Sequence, residues 1–160
     1  MPGLLTLPPR VCAVLFLVDI TAALYMMGVI WTVQLVHYPL FLRVGAAGWA
    51  AYHDAHTRQM TAVVLPAMVA ELGAAGLLAL ARPPWLSPGL LWLGFALAVG
   101  TWAVTFFVSV PLHAALGRGF DPDAIRRLVA TNWLRTAFWT GHALVLLVQA
   151  WRLLRAALFF

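Results

Sequence analysis

Four histidines lie beside apolar stretches of the sequence and are the residues best suited to chemistry. His37 follows the first apolar stretch, and His113 ends the third. His53 and His56 are three residues apart ahead of the second stretch, so on a helix they share one face. Imidazole is the commonest metal-ligand side chain. The sequence therefore predicts a site for a transition metal, iron or copper, with the ligands His37, His53, His56 and His113.

Three other interpretations of these histidines stay open at this point: a haem site, proton handling or substrate binding without a metal, and a purely interfacial role. Haem would need two axial histidines that face each other, and the candidates for that cofactor-binding role are His37 and His113, or His142 with one of them. Histidines at a membrane interface also bind headgroups or cap helices without any cofactor. The convergence of four of them, in a chain with few polar residues, favours a site.

Polar residues also recur along the last two apolar stretches. Thr101, Thr105 and Ser109 precede His113 at intervals of four residues. The last stretch carries a stripe of Asn132, Arg135, Trp139 and His142. Polar side chains in a membrane helix normally face the interior of the bundle, so the two stripes predict a cavity.

Three residues of the last stripe have side chains suited to catalysis. We expect Asn132, Arg135 and His142 to orient a substrate or to move protons, because a histidine near its ordinary pKa does this at neutral pH. Trp139 should line the cavity that they face.

Two acids lie deep in apolar sequence. Asp19 precedes His37 by 18 residues, and Glu71 follows His53 by 18. That spacing is five helical turns, or about 27 Å, so the acids should lie too far away to be metal ligands. We expect them to pair with Arg10 or Arg82, or to relay protons.

These residues are carried by a strongly apolar chain. Of its 160 residues, 64% are hydrophobic and 9% are charged. Four stretches approach the ~20 residues that cross a bilayer. The sequence predicts an all-α integral membrane protein, a single domain over 1–160 folded as a four-helix up-down-up-down bundle. The predicted spans are about 11–36, 60–81, 90–110 and 134–154.

The charge balance indicates a membrane partner. The net charge is +5, and all ten basic residues are arginines. We interpret them as flanking residues that meet anionic headgroups. No basic run with interleaved aromatic residues is present, which argues against nucleic acid. The only cysteine, Cys12, excludes an intrachain disulfide and a Cys-x-x-Cys metal site.

Short connections between successive spans would bring the four predicted ligands to one end of the bundle, here called the histidine side. The opposite end, the terminal side, would hold both termini. Six arginines fall on the histidine side and four on the terminal side. The excess favours a cytoplasmic histidine side, and we expect a bacterial-type inner membrane.

The second half of the chain resembles the anthrone-oxygenase-like family of small four-helix membrane proteins. The similar residues are Thr105 to Leu116, which contain Val-Pro-Leu-His, and the stretch Asn132-Trp133-Leu134-Arg135-Thr136. His113 stands where the family has asparagine, whereas Asn132 and Arg135 fit its pattern. The resemblance covers about 100–145 and implies oxidation of a polyphenolic anthrone by dioxygen, without a well-defined cofactor.

The sequence supports three hypotheses of function. The first is a membrane oxidoreductase or oxygenase that acts on a hydrophobic small molecule, aromatic or quinone-like, which enters from the bilayer. The second is a subunit that carries haem or metal for a partner membrane subunit and performs no chemistry itself. The third is a structural or assembly subunit, and a homo-oligomer is compatible with all three.

Overall fold

The computed structural model describes residues 3–159, and within that range every regular element is helical. Four long helices follow one another along the chain: α1 (Pro9–Arg43), α2 (Gly45–Ala81), α3 (Pro88–Leu116) and α4 (Pro122–Phe159). The prediction of an all-α protein with four helices is therefore confirmed. Each helix is longer than the span predicted within it, and α2 begins 15 residues before the predicted span at position 60.

Three of the helices could cross a membrane. By length and composition, α1, α2 and α3 are long and apolar enough to do so. Over the described residues, α4 does not meet the same measure, and it carries Arg126, Arg127, Arg135 and two further arginines. Many large apolar side chains point outward from the bundle, with Phe107 the extreme at 82% exposure. Such a surface is suited to lipid rather than water.

Prolines, a glycine and an aspartate set the helix ends. Pro9 and Pro88 each stand at the start of a helix, where the missing N–H costs nothing. Gly45 begins α2 with φ of 76°, a conformation that favours glycine. Asp121 caps α4, because its Oδ1 accepts hydrogen bonds from the backbone N–H groups of Asp123 at 2.8 Å and Ala124 at 3.0 Å.

Two helices widen into a π-helical turn near the histidine side. These turns are Val33–His37 in α1 and Thr105–Ser109 in α3. Each ends two residues before a proline, Pro39 or Pro111. Proline lacks an N–H and clashes with the carbonyl four residues earlier, and a wider turn accommodates both effects. The turns present His37 and Ser109 to the interior.

Packing between the helices leaves one weak seam. Helix α1 packs against α2 and α4, and α4 packs along α3. Helix α2 meets α3 mainly over Pro88–Val104, away from the histidine side. At the histidine side, the buried Trp49 of α2 donates its indole N–H to the backbone carbonyl of Leu116 at 2.7 Å. The two helices therefore join at both ends of the seam and diverge between them.

Candidate functional site

The four predicted ligand histidines come together as two hydrogen-bonded pairs. His37 Nε2 lies 2.8 Å from His56 Nδ1, and His53 Nε2 lies 3.2 Å from His113 Nδ1. The rings of His56 and His113 are stacked, with centroids 5.3 Å apart, and this contact joins the two pairs. Residues from α1, α2 and α3 thus form one cluster, as the sequence predicts. His53 and His56 are buried, whereas His37 and His113 are half-buried.

A tyrosine extends the cluster into a chain of polar groups. The hydroxyl of Tyr38 lies 3.0 Å from His113 Nε2, on the opposite edge of the ring from the nitrogen that faces His53. Tyr38 is buried, at 4% exposure. A neutral imidazole donates at one nitrogen and accepts at the other. The chain Tyr38–His113–His53 can therefore pass a proton along its length.

A cavity of about 340 Å³ lies against this cluster. Its polar wall contains Tyr38, His53, His56, His113 and Arg135, together with threonines and Ser109. Its apolar wall is formed by Met26, Val29, Ile30, Val33, Met60 and Val64. A cavity is therefore present beside the α3 stripe, and its volume is in the range of small-molecule sites. Of the α4 stripe, Arg135 alone lines it, and Trp139, which was expected to line it, does not.

The polar residues of the α3 stripe line part of the cavity, and some of them also hydrogen-bond to the backbone of α3. Thr105 and Ser109 line the cavity with His113, while Thr101 is buried farther along the helix. The hydroxyls of Thr101 and Thr105 donate to the backbone carbonyls four residues earlier, at 3.1 and 2.8 Å. These hydroxyls are thus already bonded, and the ring nitrogens and Arg135 are the more available polar groups.

The polar residues of α4 form a buried chain beside the cavity. Arg135 Nη1 donates to Asn132 Oδ1 at 3.3 Å, and Asn132 Nδ2 donates to Gln34 Oε1 at 2.9 Å. Gln34 in turn donates to the backbone carbonyl of Val129 at 3.2 Å. Arg135 also lies over the face of Trp139, with its guanidinium carbon 5.0 Å from the ring centroid. Asn132 therefore fixes the orientation of Arg135 rather than lining the cavity itself.

His142 belongs to a different group of residues. Its Nδ1 lies 2.8 Å from Glu71 Oε1, and its Nε2 lies 3.5 Å from Asp19 Oδ1. Glu71 Oε2 accepts a hydrogen bond from the indole N–H of Trp139 at 2.8 Å. All four residues are 2% exposed or less. The expected pairing of the two acids with Arg10 or Arg82 is wrong, because a buried histidine lies nearer to both.

This group is separate from the cavity, whose lining does not include His142. His142, Asn132 and Arg135 are all buried, as predicted, but they do not share one pocket. The reason lies in the length of α4, which begins at Pro122 and places His142 20 residues farther on. The predicted catalytic role of His142 stays a prediction.

Comparisons with protein-family models, with curated proteins and with solved structures found no match. The resemblance to the anthrone-oxygenase-like family therefore also stays a prediction. What the chain does has to follow from the geometry of its own residues.

The histidine cluster suits a metal by its chemistry more than by its present arrangement. Over residues 3–159, no group of three or more His, Cys, Asp or Glu side chains is arranged to hold a metal ion. Two nitrogen ligands of one tetrahedral ion, each about 2.05 Å from it, lie about 3.3 Å apart. The paired nitrogens, at 2.8 and 3.2 Å, differ from that separation by about 0.5 Å or less. The separations are thus compatible with a shared ion, although the two nitrogens of each pair now face each other and metal binding stays a prediction.

Sequence reasoning missed two residues of the site, Tyr38 and Gln34. Tyr38 adjoins His37 in the chain, yet its hydroxyl reaches His113 on another helix. Gln34 is an amide within an apolar stretch, and an amide there is a candidate for a buried hydrogen bond. That signal was present in the sequence and identifies Gln34, whereas nothing in the sequence pairs Tyr38 with His113.

Proposed function

We propose that this protein is a membrane oxidoreductase whose substrate is a lipid-soluble aromatic or quinone-like molecule. The observation that carries the proposal is the cluster of four histidines beside a cavity with a largely apolar wall. Imidazoles that converge from three helices are a ligand set for iron or copper, and the cavity is large enough for a small aromatic molecule. The histidine-lined wall would thus adjoin the bound substrate.

The proposal includes a membrane arrangement. All four helices would cross the bilayer in an up-down-up-down bundle, with α4 placing its arginines near the headgroups and Arg135 inside. The histidine side would face the cytoplasm of a bacterial-type inner membrane. Supporting this arrangement are the short connections after α2 and α3 and the outward-facing apolar side chains.

In its simplest form the reaction would be a dehydrogenation. A hydroquinone-type substrate loses two electrons and two protons to become a quinone, and dioxygen takes up both pairs to become hydrogen peroxide. A metal held by His37, His53, His56 and His113 would supply one-electron and dioxygen chemistry. Arg135, held by Asn132, would bind a substrate oxygen. With His53 Nε2 and His113 Nδ1 used as metal ligands, a substrate proton would leave through Tyr38 and His113 Nε2.

Elemental analysis of the purified protein in mild detergent tests the metal. We expect bound iron or copper in the wild type, and loss of most of it in both His53→Ala and His113→Ala. His142→Gln removes a histidine outside the cluster and should retain the metal, which makes it the matched control. Each variant is first shown to be monodisperse by size-exclusion chromatography.

The outcomes separate the competing functions. Full metal content in both His53→Ala and His113→Ala, or a wild type that never carries metal, would overturn the proposed site. A Soret band in the visible spectrum would indicate haem and favour a haem-carrying subunit. A metal-free, colourless protein would favour a structural or assembly subunit.

A further inference from the structure

Arg135 is a buried cation without a carboxylate partner in the described part of the chain. It is 6% exposed, its Nη1 donates only to the neutral Asn132, and its Nε has no hydrogen-bond partner. The ion pairs found over residues 3–159 involve Arg58, Arg126 and His142. A buried charge is costly unless a counter-charge and hydrogen bonds compensate it.

The interior acids are already engaged elsewhere. Both oxygens of Glu71 accept hydrogen bonds, one facing His142 and the other facing the indole N–H of Trp139, each at 2.8 Å. Besides the neutral Asn132 and Tyr38 side chains, Arg135 contacts the face of that same indole. This cation–π contact stabilises the guanidinium but provides no acceptor for its N–H groups. Arg135 therefore retains donors that no acid in the interior satisfies.

The cavity is the open space next to this guanidinium. Arg135 lines it together with Tyr38 and His113, and the rest of the wall is mainly apolar. Exposed residues of α2 and α3, among them Thr61 and Val110, also line it, so it opens along the seam where the two helices diverge. In a bilayer this opening would face lipid. A ligand could thus enter from the acyl-chain region.

We propose that the cavity binds a hydrophobic molecule that carries an acidic oxygen, a phenolate or a carboxylate, which pairs with Arg135. The anionic oxygen would accept the unused N–H groups, since guanidinium and carboxylate form short, charge-assisted hydrogen bonds. The apolar wall would contact the body of the molecule. The inference deepens the proposed function and rests on it only for the chemistry that follows binding. An aromatic acid and a fatty acid from the bilayer share the required chemistry.

Ligand binding to metal-free protein tests the pairing without reference to catalysis. The full chain is treated with a chelator, placed in nanodiscs of zwitterionic lipid and titrated calorimetrically with 2-naphthoate and with 2-naphthalenemethanol. The two probes share an aromatic body and differ in charge. We expect naphthoate to bind about tenfold tighter or more, because its carboxylate forms an ion pair with the guanidinium, whereas the alcohol offers only a neutral acceptor.

Substitutions at Arg135 and Asn132 test whether Arg135 causes the preference for naphthoate over the alcohol. Arg135→Gln should abolish the difference between the two probes, and Arg135→Lys should retain part of it. Arg152→Gln, which changes an exposed arginine of the same helix, should leave the difference unchanged. Should Arg135→Gln fail to fold, Asn132→Asp provides an internal carboxylate 3.3 Å from the guanidinium and should likewise abolish the preference.

Two results would overturn the proposal: equal affinity of the wild type for both probes, or an undiminished preference for naphthoate in Arg135→Gln. Dodecanoate identifies the source of the acid. Binding of dodecanoate as tight as that of naphthoate indicates a lipid-derived acid, whereas weaker binding indicates an aromatic one. Because the protein is metal-free, loss of acid binding alone would leave the metal proposal standing, and loss of metal alone would leave the acid site standing.

Discussion

The imidazole of His142 and the carboxylate of Glu71 form a buried hydrogen bond of 2.8 Å between α4 and α2, and each residue is 1% exposed. Asp19 of α1 approaches the other ring nitrogen at 3.5 Å. Three helices are thus joined through titratable groups within the bundle. Each partner offsets part of the desolvation cost of the others, so removal of one leaves buried polar groups uncompensated.

Replacement of one partner should therefore destabilise the bundle. Glu71→Leu leaves the ring nitrogen of His142 and the indole N–H of Trp139 without their acceptors. We expect the free energy of unfolding to fall by about 3 kcal/mol or more, since an uncompensated buried polar group remains. The measurement is the thermal midpoint in detergent, followed by circular dichroism.

The double variant Glu71→Leu with His142→Leu is the control for this prediction. It removes both polar partners, so it should be more stable than Glu71→Leu alone, and the two effects should not add. A midpoint for Glu71→Leu equal to that of the wild type would show that the bond contributes nothing.

Gly94 of α3 provides the space that His142 occupies. A Cβ placed on Gly94 would lie 3.2 Å from both Cδ2 and Nε2 of the His142 ring. The hydrogen bond to Glu71 limits how far the ring can retreat, so Gly94→Ala should cost about 1–3 kcal/mol by overpacking. Gly73→Ala meets no atom within 4 Å and should not destabilise the protein, which makes it the matched control. Equal thermal midpoints for the two variants would contradict the argument.

The sequence predicted the helical class, the gathering of the histidines and the burial of the α4 stripe. These follow from hydrophobicity, helix ends and spacing, all of which are local properties. His53 and His56 share a face because of their separation alone, and the ends of α1 and α3 bring His37 and His113 to them. Local rules were therefore sufficient to predict which histidines form the cluster.

The contacts that buried residues make between helices were not predictable in the same way. Asp19, Glu71 and His142 come from three helices, and their contact depends on the rotation of each helix about its axis. The π-helical turns at Val33–His37 and Thr105–Ser109 change that rotation, and no spacing rule for a regular helix includes them. For the same reason, the contact between Tyr38 and His113 could not be predicted from the sequence.

Asp121 makes the start of α4 sensitive to acid. Its carboxylate accepts hydrogen bonds from the backbone N–H groups of Ala124 and Asp123, which hold its pKa below the ordinary value. A carboxylate with a lowered pKa in the folded state contributes stability above its unfolded pKa, and this contribution disappears as pH falls through the folded pKa. We expect Asp121→Ala to lower the thermal midpoint at neutral pH.

The difference between Asp121→Ala and the wild type should then shrink on acidification below the ordinary carboxyl pKa. Thermal melts over a series of acidic buffers measure it. Asp54→Ala is the control, since this acid pairs with Arg58 on the surface of α2 and caps no helix. A difference that stays constant with pH would show that the cap does not act through its charge.

The hydroxyl of Tyr38 provides the test of the proposed proton chain. Tyr38→Phe removes the oxygen 3.0 Å from His113 Nε2 and keeps the ring that packs in the core. If the chain carries a substrate proton, the rate of hydroquinone oxidation under dioxygen should fall about 10²-fold, the contribution typical of general acid–base catalysis. Metal content should stay unchanged, because Tyr38 is not one of the proposed ligands. Tyr25→Phe removes an exposed hydroxyl that donates to the carbonyl of Val63 and should oxidise substrate at the wild-type rate.

A solvent isotope effect separates proton transfer by Tyr38 from a merely structural contribution. Deuterium oxide should slow the wild type more than Tyr38→Phe, because the variant's remaining rate no longer depends on transfer through this hydroxyl. A Tyr38→Phe variant with the wild-type rate and the wild-type isotope effect would exclude Tyr38 from the chain.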